Sequence, residues 1–122
     1  MTKVRKVTPD ERVESDPTMG LVREEAIASD RMWTGIARAQ PGSVSGWHHH
    51  GDHETAVYVL AGIFRVEYGS EAVEGHPGDF VLVPKNLVHR EANPSDEESR
   101  LVIFRTGTGP PTINVEGPDS SS

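Results

Sequence analysis

The 122-residue sequence contains no cysteine. Disulfide bonds, thiolate zinc sites and cysteine nucleophiles are therefore excluded, and a cytoplasmic location is the expectation. No apolar run approaches the roughly 20 residues needed to cross a bilayer. Basic residues occur within residues 1–8, but no apolar stretch follows them, so no secretory leader is expected. Cationic charge is also scarce: 12 Lys and Arg stand against 19 Asp and Glu, a formal charge of −7. Such a surface repels phosphate, so neither nucleic acid nor a membrane is an expected partner. No glycine-rich dinucleotide fingerprint and no serine with an evident base stand out. The Gly- and Pro-rich stretch at 107–111 lacks the lysine and following helix of a phosphate loop.

Turn formers are plentiful instead, with 12 glycines and nine prolines. Helix-period apolar patterns are hard to find, whereas short β-rich runs recur between turn signals. The pattern predicts strands near 20–25, 32–39, 43–49, 55–60, 63–68, 79–83, 88–93 and 100–106. Breaks such as Gln40-Pro41-Gly42, Ala61-Gly62, Gly75-His76-Pro77-Gly78 and Asn93-Pro94-Ser95-Asp96 separate them. Many short strands at this spacing indicate an all-β sandwich or closed barrel. One domain spanning 1–122 is expected, its core over about 18–115, with the first dozen residues and 117–122 as flexible ends. The apolar segment 112–115 is expected to pair with another strand or with a second subunit.

Histidine is where chemistry concentrates. His48, His49, His50 and His53 fall together, and His89 lies far along the chain. Strand alternation points His48 and His50 to one face and His49 to the other. Two imidazoles about 6.6 Å apart along a strand can converge on one ion, and His89 is a candidate third donor. A solvated histidine loop is the plainer alternative. A helical pair of His49 and His53 is disfavoured by Gly51 and by the strand-like Val57-Tyr58-Val59. His76, in a Gly-Pro turn, reads as solvated.

The arrangement resembles the cupin family, of the RmlC-like, single-domain type. Gly42, His48-x-His50 and Tyr58-Val59-Leu60-Ala61-Gly62 look like its first motif. Gly78, Pro84-x-Asn86, His89 and Asn93 look like its second, so the resemblance runs from about Trp33 to Thr106. It implies a double-stranded β-helix, a jelly-roll-like antiparallel barrel, holding one divalent metal through His48, His50 and His89. The family's acidic ligand falls on Thr55, a poor donor. His53 shares the parity of Thr55 and is the favoured substitute over Glu54; a three-histidine site completed by water is the third possibility. Imidazole-rich ligation favours Fe(II), Zn, Ni or Cu over Mn or Mg. The implied function is a metal-dependent enzyme on a small organic molecule, oxygenase-like or isomerase- and lyase-like, with a non-enzymatic ligand-binding or sensing protein as the alternative. Catalytic residues beyond the ligands are not identified, and a homodimer is expected. Trp33, Trp47, Met19, Phe64 and Tyr58 are expected in the core or lining the pocket. Arg90 and Glu91 flank His89 and either touch a ligand or form a surface ion pair.

Overall fold

The structure, a computed structural model, describes residues 3–18, 20–107 and 112–118. Met19 and residues 119–122 of the expected flexible end lie outside these. The elements are antiparallel strands preceded by one 3-10 turn, Pro9–Glu11, where Thr8 and Glu11 cap each other reciprocally. No α-helix occurs among the described residues, and none is long and apolar enough to cross a membrane.

One sheet contains β1 (Val13–Thr18), β2 (Leu21–Ala28), β3 (Met32–Ala39), β5 (Thr55–Ala61), β8 (Phe80–Val83) and β10 (Ser99–Thr106), in the order β1-β2-β3-β10-β5-β8. The facing layer is built from β7 (Glu71–Gly75), β6 (Phe64–Tyr68) and β9 (Arg90–Ala92), and from β11 (Ile113–Asn114) paired with β4 (His48–His49). An isolated bridge between His48 and His89 ties β4 to the start of β9. Period-2 alternation sets which side chains enter the core. On β10, Ser99, Leu101, Ile103 and Arg105 are buried, while Arg100, Phe104 and Thr106 are exposed. Leu101 and Ile103 meet Ala37, Val57 and Val59 of the same sheet and Phe64 and Val66 of the other, so the core lies between the two layers.

The strands expected near 32–39, 55–60, 63–68, 79–83 and 100–106 are present to within a residue at each end. The one expected near 20–25 runs on to Ala28 through a bulge between Glu25 and Ile27. The one expected over 43–49 is regular only at His48–His49, with an isolated bridge at Val44, because the register slips between Val44↔Ala92 and His48↔His89. β1 and β7 were not expected. Both are polar: β1 carries Pro17, and four of the five β7 residues are exposed, so neither shows an apolar alternation. Segment 112–115 pairs within the chain, Ile113 opposite His49.

Candidate metal centre

β4 and the start of β9 lie antiparallel, with His48 and His89 exchanging backbone hydrogen bonds of 2.9 and 2.8 Å. The register sets both side chains on the inner face. Glu91, two residues beyond His89, shares its parity and sits opposite the buried Val66 of β6. His50 shares the parity of His48. One donor atom from each of His48, His50, His89 and Glu91 lies within 4.8 Å of all the others. That spread is close to the ~4 Å across which donors at about 2.1 Å surround a single ion. The three imidazole ring centroids are 4.5–5.1 Å apart, and the three histidines are almost wholly buried.

Hydrogen bonding fixes which nitrogens face inward. His48 Nδ1 donates to the Gly46 carbonyl and His89 Nδ1 to the Leu87 carbonyl, both at 2.8 Å. A carbonyl only accepts, so each Nδ1 carries the proton and each Nε2 of a neutral ring presents a lone pair. These lone pairs point at a carboxylate oxygen: Glu91 Oε1 is 3.4 Å from His48 Nε2 and 3.2 Å from His89 Nε2. His48 Nε2 is buried without a hydrogen-bond partner. Three electron-rich atoms facing one another in a dry interior need a cation among them, either a proton or a metal ion. The donor set therefore fits a divalent metal with imidazole and carboxylate ligands. Burial pushes the Glu91 carboxyl upward, but sharing of a proton from His48 or His89 Nε2, when one is present, and the charge of Arg23 outweigh it and hold the group well below the usual carboxylate range.

The remaining residues singled out in the sequence sit elsewhere. His53 is buried but not grouped with the donors; its Nδ1 donates to the Thr106 carbonyl, and its ring lies against Gly107. Glu91, and not His53, is grouped with the three histidines. The reason is that the loop after His50 turns the His53 ring toward β10 instead of the facing layer. Thr55 accepts from Arg105 Nε at 3.2 Å, and Glu54 is exposed. His49 points away, its Nδ1 accepting from the Gly51 N–H at 3.0 Å. The His76 side chain is 57 % exposed beside Asp79. Phe64 is in the core and Trp33 packs against it, but Tyr58 lies on the outer sheet face against Phe80, ring centroids 4.7 Å apart. Trp47 is half-buried beneath Arg90, whose guanidinium is 4.7 Å from its ring and whose Nε reaches Glu67 at 2.6 Å. Sequence reasoning left Glu91 between two roles, although the parity rule that joins His48 to His50 also joins it to His89.

The cupin domain model Cupin_2 matches residues 35–105, more than half of the chain and both histidine segments. The chain belongs to the cupin family. This cupin is 31 % identical over 95 residues to Protein SchB of Streptomyces halstedii, an alignment covering 78 % of this chain and 69 % of the relative. It is 25 % identical over 107 residues to Polyketide synthase CurC of Streptomyces cyaneus, covering 88 % and 69 %. Its fold is similar to that of the polyketide cyclase RemF from Streptomyces resistomycificus, with a TM-score of 0.77 at 18 % identity over 96 % of this chain and 89 % of that one. The architecture is the double-stranded β-helix of cupins.

Proposed function

We propose that this cupin is a metal-dependent enzyme whose ligands are His48, His50, His89 and Glu91, and that it acts on an enolisable carbonyl compound of polyketide type in a cyclising or isomerising reaction. The observation that carries this is the convergence of two Nε2 lone pairs and a carboxylate oxygen within 3.4 Å in the barrel interior. The names of CurC and RemF supply the substrate class, and they favour carbon–carbon or proton-transfer chemistry over the oxygenase reading. Three imidazoles favour Fe(II), Zn, Ni or Cu over Mg.

A bound dication supplies Lewis acidity that polarises a carbonyl and stabilises its enolate. The protein residues prepare that site. The Gly46 and Leu87 carbonyls hold the rings of His48 and His89 in one tautomer and one orientation. Ser45 clamps the strand that bears Glu91: its Oγ accepts from the Glu91 N–H at 2.9 Å, and its own N–H donates to the Glu91 carbonyl at 2.8 Å. Burial of all three rings excludes water, which strengthens every electrostatic contact inside. A homodimer in the cytoplasm completes the reading. Its support is the apolar outer face of β8, β5 and β10, where Phe80 and Leu82 are 72 % and 59 % exposed.

The test starts with elemental analysis of protein purified without a histidine tag. About one equivalent of a transition metal is expected, falling to under a tenth of that in His50→Ala/His89→Ala. Glu91→Gln is expected to weaken metal binding by roughly 10-fold or more, and His53→Ala by less than that. The reverse ranking makes His53 the fourth donor. Turnover of a poly-β-carbonyl substrate by the loaded protein supports the enzyme; stabilisation by that compound without turnover supports a binding protein.

A further inference from the structure

Glu91 has two carboxylate oxygens, and only one of them faces the histidines. Oε1 lies 3.4 and 3.2 Å from the two imidazole nitrogens. Oε2 lies 4.0 Å from Nη2 of Arg23, whose side chain has no solvent exposure. Arg23 projects inward from β2, from the sheet opposite the one that carries the donors. A guanidinium is charged at any accessible pH, so burying it here places a permanent positive charge directly behind a metal-ligand carboxylate.

We propose that Arg23 is a positioning and specificity residue of the metal centre: it holds Oε2 of Glu91 so that Oε1 faces the histidines, and its charge cancels the carboxylate's, so the loaded site attracts a singly negative oxygen ligand such as an enolate or carboxylate. The charge count is direct. A dication with one carboxylate leaves one net positive charge, and the guanidinium of Arg23 adds one more to these three groups taken together. In a buried, weakly screened interior a unit charge several ångströms from a bound anion changes its affinity by about tenfold or more, and leaves a neutral ligand nearly untouched. The inference rests on the metal-centre reading above and specifies which ligand charge that centre prefers.

The test uses full-length protein loaded with cobalt(II), whose visible spectrum reports ligand changes without any enzymatic assay. Azide serves as the small anion and imidazole as the neutral ligand. In wild type both are expected to bind with a spectral change. Arg23→Gln is expected to lower azide affinity about tenfold while imidazole affinity stays within about twofold. Arg23→Lys keeps the charge and is expected to hold azide affinity within about threefold. An azide loss under threefold in Arg23→Gln, or equal losses of azide and imidazole, overturns the proposal. If Arg23→Gln does not fold, Arg23→Lys decides alone, since a tenfold azide loss with the charge retained also overturns it. Wild type that takes up cobalt but not azide removes this proposal alone. Wild type that takes up no cobalt removes the metal centre and this proposal together.

Discussion

Asn93 ends the second histidine segment and does more for stability than its polarity suggests. It is fully buried, its Nδ2 donating to the Ala39 and Glu97 carbonyls at 3.0 and 2.8 Å while Oδ1 accepts from the backbone and hydroxyl of Ser95. Asn93→Ala leaves the buried Ala39 carbonyl without its side-chain donor and the Glu97 carbonyl with only Ser95 Oγ at 3.0 Å, which costs about 2 kcal/mol. In thermal unfolding this corresponds to a drop of roughly 10 °C. Asn93→Asp keeps Oδ1 but turns a second acceptor toward both carbonyls, and is expected to be at least as harmful at neutral pH. An alanine variant that melts within about 2 °C of wild type shows that these contacts are not worth what their geometry implies. Individual residues also show how far sequence reads. The pairing of His48 with His50 follows from alternation alone, and so does the exclusion of His49. The placement of His53 does not, because β5 begins only at Thr55, so the alternation that gave His53 the parity of Thr55 does not extend back to it. Glu91 lies inside a regular strand where parity holds, but its neighbour Arg90 invites an ion-pair reading. That pair does not form, since Arg90 faces outward to Glu67.

At the scale of elements, the tight connections between strands differ in what they require. Gly62 joins β5 to β6 with φ of +73°, and a Cβ there lies 2.7 Å from the Ser99 backbone. Gly42, before the first histidine segment, has φ of +74° but nothing within 4 Å of its Cβ position. Gly42→Ala therefore carries only the left-handed backbone penalty, about 1–2 kcal/mol. Gly62→Ala adds a clash with main chain that cannot rotate away, and is expected to cost about 1 kcal/mol or more beyond that. Urea denaturation of the two variants measures the gap, and equal midpoints would show that the β5–β6 turn shifts to make room. Strand legibility follows the same physical logic. β3, β5 and β10 each present alternating apolar residues to a shared core, so period-2 reading finds them. β7 has no such face; it is held by its ladder with β6 and by Arg65, which reaches both Glu67 and Glu74. Nothing in a lone run of Glu-Ala-Val-Glu-Gly announces a partner.

Over the whole molecule, metal, protons and stability are one linked equilibrium. In the proposed function the cluster of His48, His50, His89 and Glu91 holds a metal ion, and protons compete with it for the same lone pairs. Ligand histidines must be neutral, so apparent metal affinity falls as pH drops. Stabilisation by metal follows RT ln(1 + [M]/Kd), so each tenfold loss of affinity removes about 1.4 kcal/mol at fixed excess metal. The Tm gap between zinc-saturated and chelator-treated protein is therefore expected to be widest near pH 8 and to close by about pH 5. The carboxylate contributes with its own sign. Glu91 is held well below the usual carboxylate range in the folded protein. Its contribution is therefore present above the unfolded value, near about 4.3, and is lost only as pH falls through the lowered folded value. The apoprotein should thus keep the Glu91 contribution down to about pH 4.3 and lose it in stronger acid. Differential scanning fluorimetry from pH 8 to 3, with and without zinc, separates the two steps. A gap between loaded and stripped protein that stays constant across that range would mean that the histidines do not hold the metal.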